Sequence, residues 1–331
     1  MTTFTKLLCS AVALSTLPVF AHAACDSGER VVKFSHVTAV AGHPKGEMVA
    51  AFAERFDEQF DGKMCMEVFP NSTLFNDDKV LEALMLGDVQ LAAPDVGKFD
   101  AYTQQLQVFN LPFLFDSTEA VQAFTETEQG EELLMSMESS GIIGLGWIFN
   151  GMRQFSANRP LLEPQDAVGL KFRATTSDVT EAMIAALDAT PQALAFAEVY
   201  GALQTGVVDG QENTWSNIYT GKFYEVQDGV TETNHQFLTY LIVTSPEFLD
   251  SLGDDRDAFT ALIDGVSAEY NALANEANAA SRQAIIDNGG TVRELTDEQR
   301  AAWVDVMKPV WAQFEDAIGT DVIEAASDSA E

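Results

Sequence analysis

Between residues 31 and 93, short apolar runs alternate with amphipathic stretches of helical period, and this alternation constrains the fold more than any other feature of the chain. Residues 31–36, 64–69 and 89–93 read as strands. Residues 44–60 form a helical pattern with Val49, Phe52, Phe56 and Phe60 on one face. Residues 77–86 form a second one, capped by Asn76 or Asp77 and stopped at Gly87. Strand, helix, strand, helix, strand implies parallel pairing with right-handed crossovers, and hence an α/β fold.

The second half repeats the theme. Residues 142–149 and 152–156 read as two strands around the turn signal Asn150-Gly151. Further strands are expected at 170–173, 190–194, 230–233 and 237–243, with helices at 179–187 and 197–205. Residues 254–288 form one long helical pattern, which at 1.5 Å per residue would reach about 50 Å, enough to lie along two lobes. Thr296 caps a last helix over 297–318, and 325–331 read as a frayed end. No linker rich in Pro, Gly or Ser separates the halves, so the pattern predicts two lobes joined by several crossings, able to close by hinge motion.

The first 23 residues read as a cleaved secretory signal: Lys6, an apolar run over 7–17, and the small-x-small site Ala21-His22-Ala23. That run falls short of the ~20 residues that span a bilayer. His22, Ala23 and Ala24 make a poor setting for a lipid anchor on Cys25. Export as a soluble periplasmic protein is the expectation. The mature chain keeps Cys25 and Cys65, just before the first strand and inside the second. Either they pair in an oxidising compartment or they stay as two free thiols.

Fifty-one acidic residues face 18 lysines and arginines, a formal net charge of −33. Such a surface repels nucleic acid and anionic membranes and suits salty water. A binding site for anions in such a body has to rely on local, desolvated cations. Arg173 stands out, because it ends the apolar approach Val168, Gly169, Leu170, Phe172. A guanidinium in that position is suited to grip a carboxylate. The structural alternative is an ion pair with an acidic neighbour. Enzyme signatures are missing: no G-x-S-x-G elbow, no H-E-x-x-H, no glycine-rich phosphate loop. His36, His43 and His235 are scattered and no spacing suits zinc, so no cofactor or metal is implied.

A series of short segments carries a family resemblance. They are V-K-F-S-H-V (32–37), P-K-G (44–46), F-P-N-S-T-L (69–74), E-A-L-M-L-G (82–87) and N-L-P-F-L-F (110–115). N-G-M-R-Q-F-S-A-N-R-P-L (150–161), G-L-K-F-R (169–173), F-A-E-V-Y-G-A-L-Q-T-G-V-V-D-G-Q-E-N (196–213) and T-N-H (233–235) continue the series. In this order and spacing the chain resembles the TRAP-type periplasmic solute receptors, most closely the C4-dicarboxylate-binding (DctP) branch. The resemblance implies a two-lobed α/β fold like that of periplasmic binding proteins, with a ligand cleft between the lobes and a long helix spanning both. The expected division puts 24–150 and about 237–275 in the first lobe, and 151–236 and about 276–331 in the second. It further implies a receptor that closes on a small organic acid and delivers it to TRAP membrane subunits, with no catalysis.

By the same resemblance Arg173 makes a two-pronged salt bridge with the ligand carboxylate. Arg153 offers a second anion contact, or else buttresses the site. Asn213 matches a ligand contact, with a helix cap as its alternative. Phe196 and Trp215 are cleft walls or core aromatics, and Gln154 and Asn150 either bond loops or line the site. His36, Lys45 and Asp95 match first-lobe cleft positions with surface or loop roles as alternatives, while His235 reads as structural. The expected ligand is malate, succinate or fumarate. The alternatives are a sugar acid, a 2-oxo acid or an aromatic acid; a secreted two-lobed hydrolase is the reading from another class. A monomer is expected of a receptor that must open and close.

Overall fold

The computed structural model describes residues 25–330, and the expected signal segment lies outside the described residues. Strand β1 (Arg30–Ser35) sits between β2 (Met64–Phe69) and β3 (Leu91–Ala92), parallel to both, as the alternation requires. Helix α1 (Pro44–Gln59) makes the first crossover and buries Met48, Val49, Phe52 and Phe56. Cys25 and Cys65 are joined in a disulfide with their Cα atoms 5.5 Å apart, which settles the choice the sequence left open. Strand β3 is shorter than expected. The Gln90 side chain, not a backbone carbonyl, takes the Lys33 N–H that a longer ladder would use. Helix α2 (Val80–Met85) is also shorter, because Asn76 accepts from Lys79 N and holds the preceding residues in a turn.

Helices α3 (Thr118–Thr125) and α4 (Glu128–Met135) precede the strand that unites the molecule. The sequence reading placed a hairpin at Asn150-Gly151. Instead one strand, β4 (Ile143–Ala157), runs straight through. Neither residue has the positive φ that a two-residue type I′ turn needs. The register shifts between Phe149 and Gly151, a β-bulge. The bulge is fixed from afar: Asn150 is fully buried, and its Oδ1 accepts from Ser216 Oγ at 2.7 Å and Asn278 Nδ2 at 3.1 Å.

The halves of β4 serve different sheets. Its amino-terminal half pairs with β9 (Phe237–Thr244), which leads on to β3 and β1. Its carboxyl-terminal half pairs with β7 (Gly210–Thr214) and β8 (Gly229–Glu232). Beyond β7 lie β5 (Lys171–Ala174) and β6 (Thr190–Ala193), and β10 (Val292–Glu294) pairs with β8. Around this second sheet lie α5 (Asp178–Ala186), α6 (Val199–Thr205) and α7 (Trp215–Thr220). This is a two-lobed α/β fold in which β4 runs from the first sheet into the second.

The long helix is broken. After α8 (Pro246–Ser251) it runs as α9 (Arg256–Asn271) and α10 (Ala274–Asp287). At the break Leu273 N bonds to Tyr270 O, a tighter turn than the α-helix makes. Asn271 leaves the helix surface to bond Phe149 N and Trp147 O on β4, and Asn278 donates to Asn150 O. Helix α9 packs on α1 and α10 on α7, so the pair still spans both lobes.

The last helical pattern also divides. Helix α11 (Asp297–Met307) gives way near Pro309 to a 3₁₀ segment, then α12 (Glu315–Ile318). The expected frayed end is instead a helix, α13 (Thr320–Ser329), which buries Val322, Ile323 and Ala326. It packs on α3 and α4, beside the first sheet, although the sequence reading grouped 276–331 with the second lobe.

Candidate functional site

Strand β5 carries Arg173 to its end, where the side chain turns towards the gap between the lobes. Nε and Nη2 both donate to Leu194 O, at 3.1 and 3.0 Å, so the chain after β6 sets the guanidinium plane. The residue is 4% exposed. Burial pulls its pKa down, with Glu212 acting in the opposite sense. Among the described residues no carboxylate lies within ion-pair distance of it.

Arg153, on β4, is in a different state. Its Nη1 donates to both oxygens of Glu212 at 2.9 Å, and its Nη2 donates to Asp95 Oδ2 at 2.5 Å. Burial opposes its charge, but Glu212 and then Asp95 outweigh it and hold the proton more firmly than usual. Burial likewise pushes Glu212 up, but Arg153, followed by His235 and Arg173, holds it below the ordinary carboxylate range. Among the described residues Arg153 therefore has its countercharge, and Arg173 does not.

A cavity lies between the lobes, walled by Arg153, Arg173, Asp95, Asn213, Phe196, Asn217, Tyr240, Lys98, Asp77 and the threonines 38 and 175. The lobes meet at its mouth. Lys98 Nζ donates to Asp78 Oδ1 at 2.6 Å and Thr176 Oγ1 at 2.9 Å, and Asp178 N donates to Asp100 Oδ2 at 2.8 Å. Gly97 lies so close to the second lobe that a Cβ would come within 2.8 Å of Ser177 Cβ. A small ligand held here would be shielded from water by these contacts. A buried, cation-bearing cavity between two lobes is suited to a small anion.

The model for bacterial extracellular solute-binding protein family 7 (DctP) matches residues 34–317. The chain belongs to this family. It is 53% identical over 320 residues to the C4-dicarboxylate-binding periplasmic protein DctP of Vibrio cholerae, covering 96% of each chain. A TRAP periplasmic solute-binding protein from Shewanella oneidensis, solved with bound succinate, superposes with a TM-score of 0.90 at 48% identity, over 92% of this chain and all of that one. Another from Pseudomonas aeruginosa, solved with bound L-malate, gives a TM-score of 0.84 at 42% identity, over 86% and 99%.

In this family member the sequence-derived candidates fall into two groups. Arg173, Arg153, Asn213, Phe196 and Asp95 reach the cavity together. The other five stand behind its wall. Lys45 is fully buried, donating to Ala93 O at 2.9 Å, with Nζ 3.7 Å from the Tyr240 ring centroid. Burial lowers its pKa to about 8. His36 bonds Thr38 Oγ1 at 3.1 Å through Nδ1, and burial keeps it neutral. Gln154 bonds Asn234 through both ends of its amide and so holds that residue at φ 46°. Trp215 packs with Val199, Ile218 and Ile285, and Asn150 anchors the bulge. His235 stacks on Phe155 with centroids 4.3 Å apart and lies 3.7 Å from Glu212, a structural setting.

Sequence reasoning passed over Lys98, Asp77, Asn217, Tyr240 and Glu212. Glu212 and Asn217 flank the Asn213-Trp215 stretch it did single out. Glutamate in a strand with no exposed position is a signal of a buried cation partner. Tyr240 lies within the apolar run 237–243 and carries no local signal.

Proposed function

We propose that this protein is an extracytoplasmic receptor that captures a small C4-dicarboxylate such as succinate or malate in the periplasm and hands it to the membrane subunits of a TRAP transporter. The observation that carries the reading is Arg173: a buried guanidinium on the cavity wall, without a carboxylate partner among the described residues, in a family member whose relatives hold succinate and L-malate. Of the five N–H donors of a guanidinium, two serve Leu194 O, so the rest are left for one ligand carboxylate. Arg153, held by Asp95 and Glu212, acts as a rigid part of the cavity wall. Lys98 and Asn213 offer donors to the remaining polar groups of the ligand. Nothing in this role asks for bond cleavage: the receptor works as a monomer that closes, releases and opens.

The test is native mass spectrometry of the protein as purified, then denaturation to identify a retained acid, alongside calorimetric titration with succinate, L-malate, galactonate and orotate. Tight binding of the two C4 acids, recovered unchanged, supports the reading. Uptake of galactonate or orotate alone, or turnover of the bound acid, overturns it.

A further inference from the structure

A chain of buried hydrogen bonds starts at the amino terminus of α1 and ends on the cavity wall, and its donor directions are forced. His43 caps α1: Lys45 N donates to its Nδ1 at 3.1 Å, so Nδ1 is an acceptor. The ring is fully buried and stays neutral, since burial and then Lys45 push its pKa down to about 3. The proton of a neutral imidazole then sits on Nε2. Asn217 Oδ1 lies 3.0 Å from that Nε2 and accepts it. The Asn150 amide nitrogen, 3.4 Å from the same Nε2, donates elsewhere.

With its oxygen committed to His43, Asn217 can only donate from Nδ2. It does so to Asn213 Oδ1 at 2.7 Å and to the Tyr240 hydroxyl at 3.0 Å. Asn150 Nδ2 donates to the same hydroxyl at 3.1 Å, and its own orientation is fixed by Ser216 Oγ and Asn278 Nδ2 on its oxygen. The phenol oxygen thus accepts twice, and its proton has no acceptor among the described residues. Burial keeps the phenol protonated beyond the ordinary tyrosine range. Tyr240 lines the cavity beside Arg173 and Asn213.

We propose that Tyr240 is a specificity-determining residue that donates its hydroxyl proton to an oxygen of the bound anion, and that His43, through Asn217, is the positioning residue that turns this proton into the cavity. The stretch of wall around Tyr240 then presents donors, from Arg173, Tyr240 O–H and the Asn213 amide, whose oxygen is already taken by Asn217 and Thr214 N, while Asp77 and Asp95 line other parts of the cavity. At that stretch an oxygen that only accepts, as a carboxylate's does, is favoured over a hydroxyl group that must also donate. Were the His43 proton on the other nitrogen, Asn217 would turn over and the Tyr240 proton would be spent inside the protein.

The proposal rests on the receptor reading above, and its test separates the two. Succinate affinity is measured for the full mature protein, wild type, Tyr240→Phe, His43→Leu and the double variant. Tyr240→Phe keeps the ring under Lys45 and weakens binding by about 10- to 100-fold, the size of a lost hydrogen bond to a charged group. His43→Leu weakens binding when Tyr240 is present and adds almost nothing when it is Phe, because both act through one proton. Tyr240→Phe binding within about threefold of wild type overturns the donor role. Equal losses from His43→Leu in both backgrounds overturn the relay. Should His43→Leu not fold, wild type labelled with ¹³C-tyrosine decides. A hydroxyl proton resonance protected from exchange appears on adding succinate, and its absence refutes the assignment. Failure of wild type itself to take up succinate or L-malate sinks the receptor reading instead.

Discussion

Replacing Arg173 with methionine removes the guanidinium and keeps most of the side-chain volume. In the structure the guanidinium is 4% exposed, bonded to Leu194 O and unpaired with any carboxylate among the described residues. Its charge is desolvated, and burial already weakens its hold on the proton. The substitution removes a buried charge that has no carboxylate partner among the described residues, so the unfolding temperature measured without ligand should stay level or rise. With ligand the balance reverses. Leaving a dicarboxylate in the closed cavity without its cation costs about 3–5 kcal/mol, a loss of roughly 10²- to 10³-fold or more in affinity. At a succinate concentration about 1,000 times the wild-type Kd, mass action stabilises wild type by ~4 kcal/mol. A variant bound ~1,000-fold more weakly gains only ~0.4 kcal/mol at that concentration, close to no thermal shift. Calorimetry gives the affinities and thermal scans with and without succinate give the shifts. Arg173→Met binding succinate within about tenfold of wild type would refute the argument. So would a variant that melts far below wild type without ligand, because Arg173 would then be a structural cation.

Three further outcomes follow from the same geometry. Gly97→Ala sets a methyl group 2.8 Å from Ser177 Cβ, so the lobes should no longer close fully; small-angle scattering with saturating succinate should show a more open particle, and affinity should fall while unfolding without ligand changes little. Asp100 is raised to about 7 by burial and by Asp178, Asp95 and Glu181. A carboxyl whose folded pKa is raised stabilises the fold at low pH and loses that contribution as pH rises through about 7. Ligand-free wild type should then lose stability against Asp100→Asn between pH 5 and pH 8, whereas a constant difference would refute the assignment. Finally, the Cys25–Cys65 bond closes a loop with a sequence separation of 40. Replacing both by serine should cost about 4 kcal/mol in urea unfolding on the chain-entropy account, and reductant should do the same to wild type.

Much of the fold was legible because local periodicity dictates it. The runs that became β1, α1 and β2 have one apolar face each, and the observed bounds lie within a residue or two of the sequence reading. Asp178–Ala186 and Val199–Thr205 were legible from their caps, Ser177 and the left-handed Gly206. The site was half legible. Arg173, Arg153, Asn213, Phe196 and Asp95 converge on one cavity, but Lys45 and His36, matched to cleft positions, stand behind its wall.

From the sequence alone came the elements, the acidic body in which a buried arginine matters, and the family with its two lobes. Tertiary structure alone decided which cations keep a partner within the protein, that Asn150-Gly151 is a bulge and not a turn, and that Tyr240 faces the cavity. The reason is one of scale. A local preference is worth tenths of a kcal/mol, whereas a buried polar group left without a partner costs about 1–3. The partners that satisfy Asn150 come from Ser216, Tyr240 and Asn278, 66 to 128 residues away. No window of sequence contains them, so only the folded chain could set the orientation of the groups that meet the ligand.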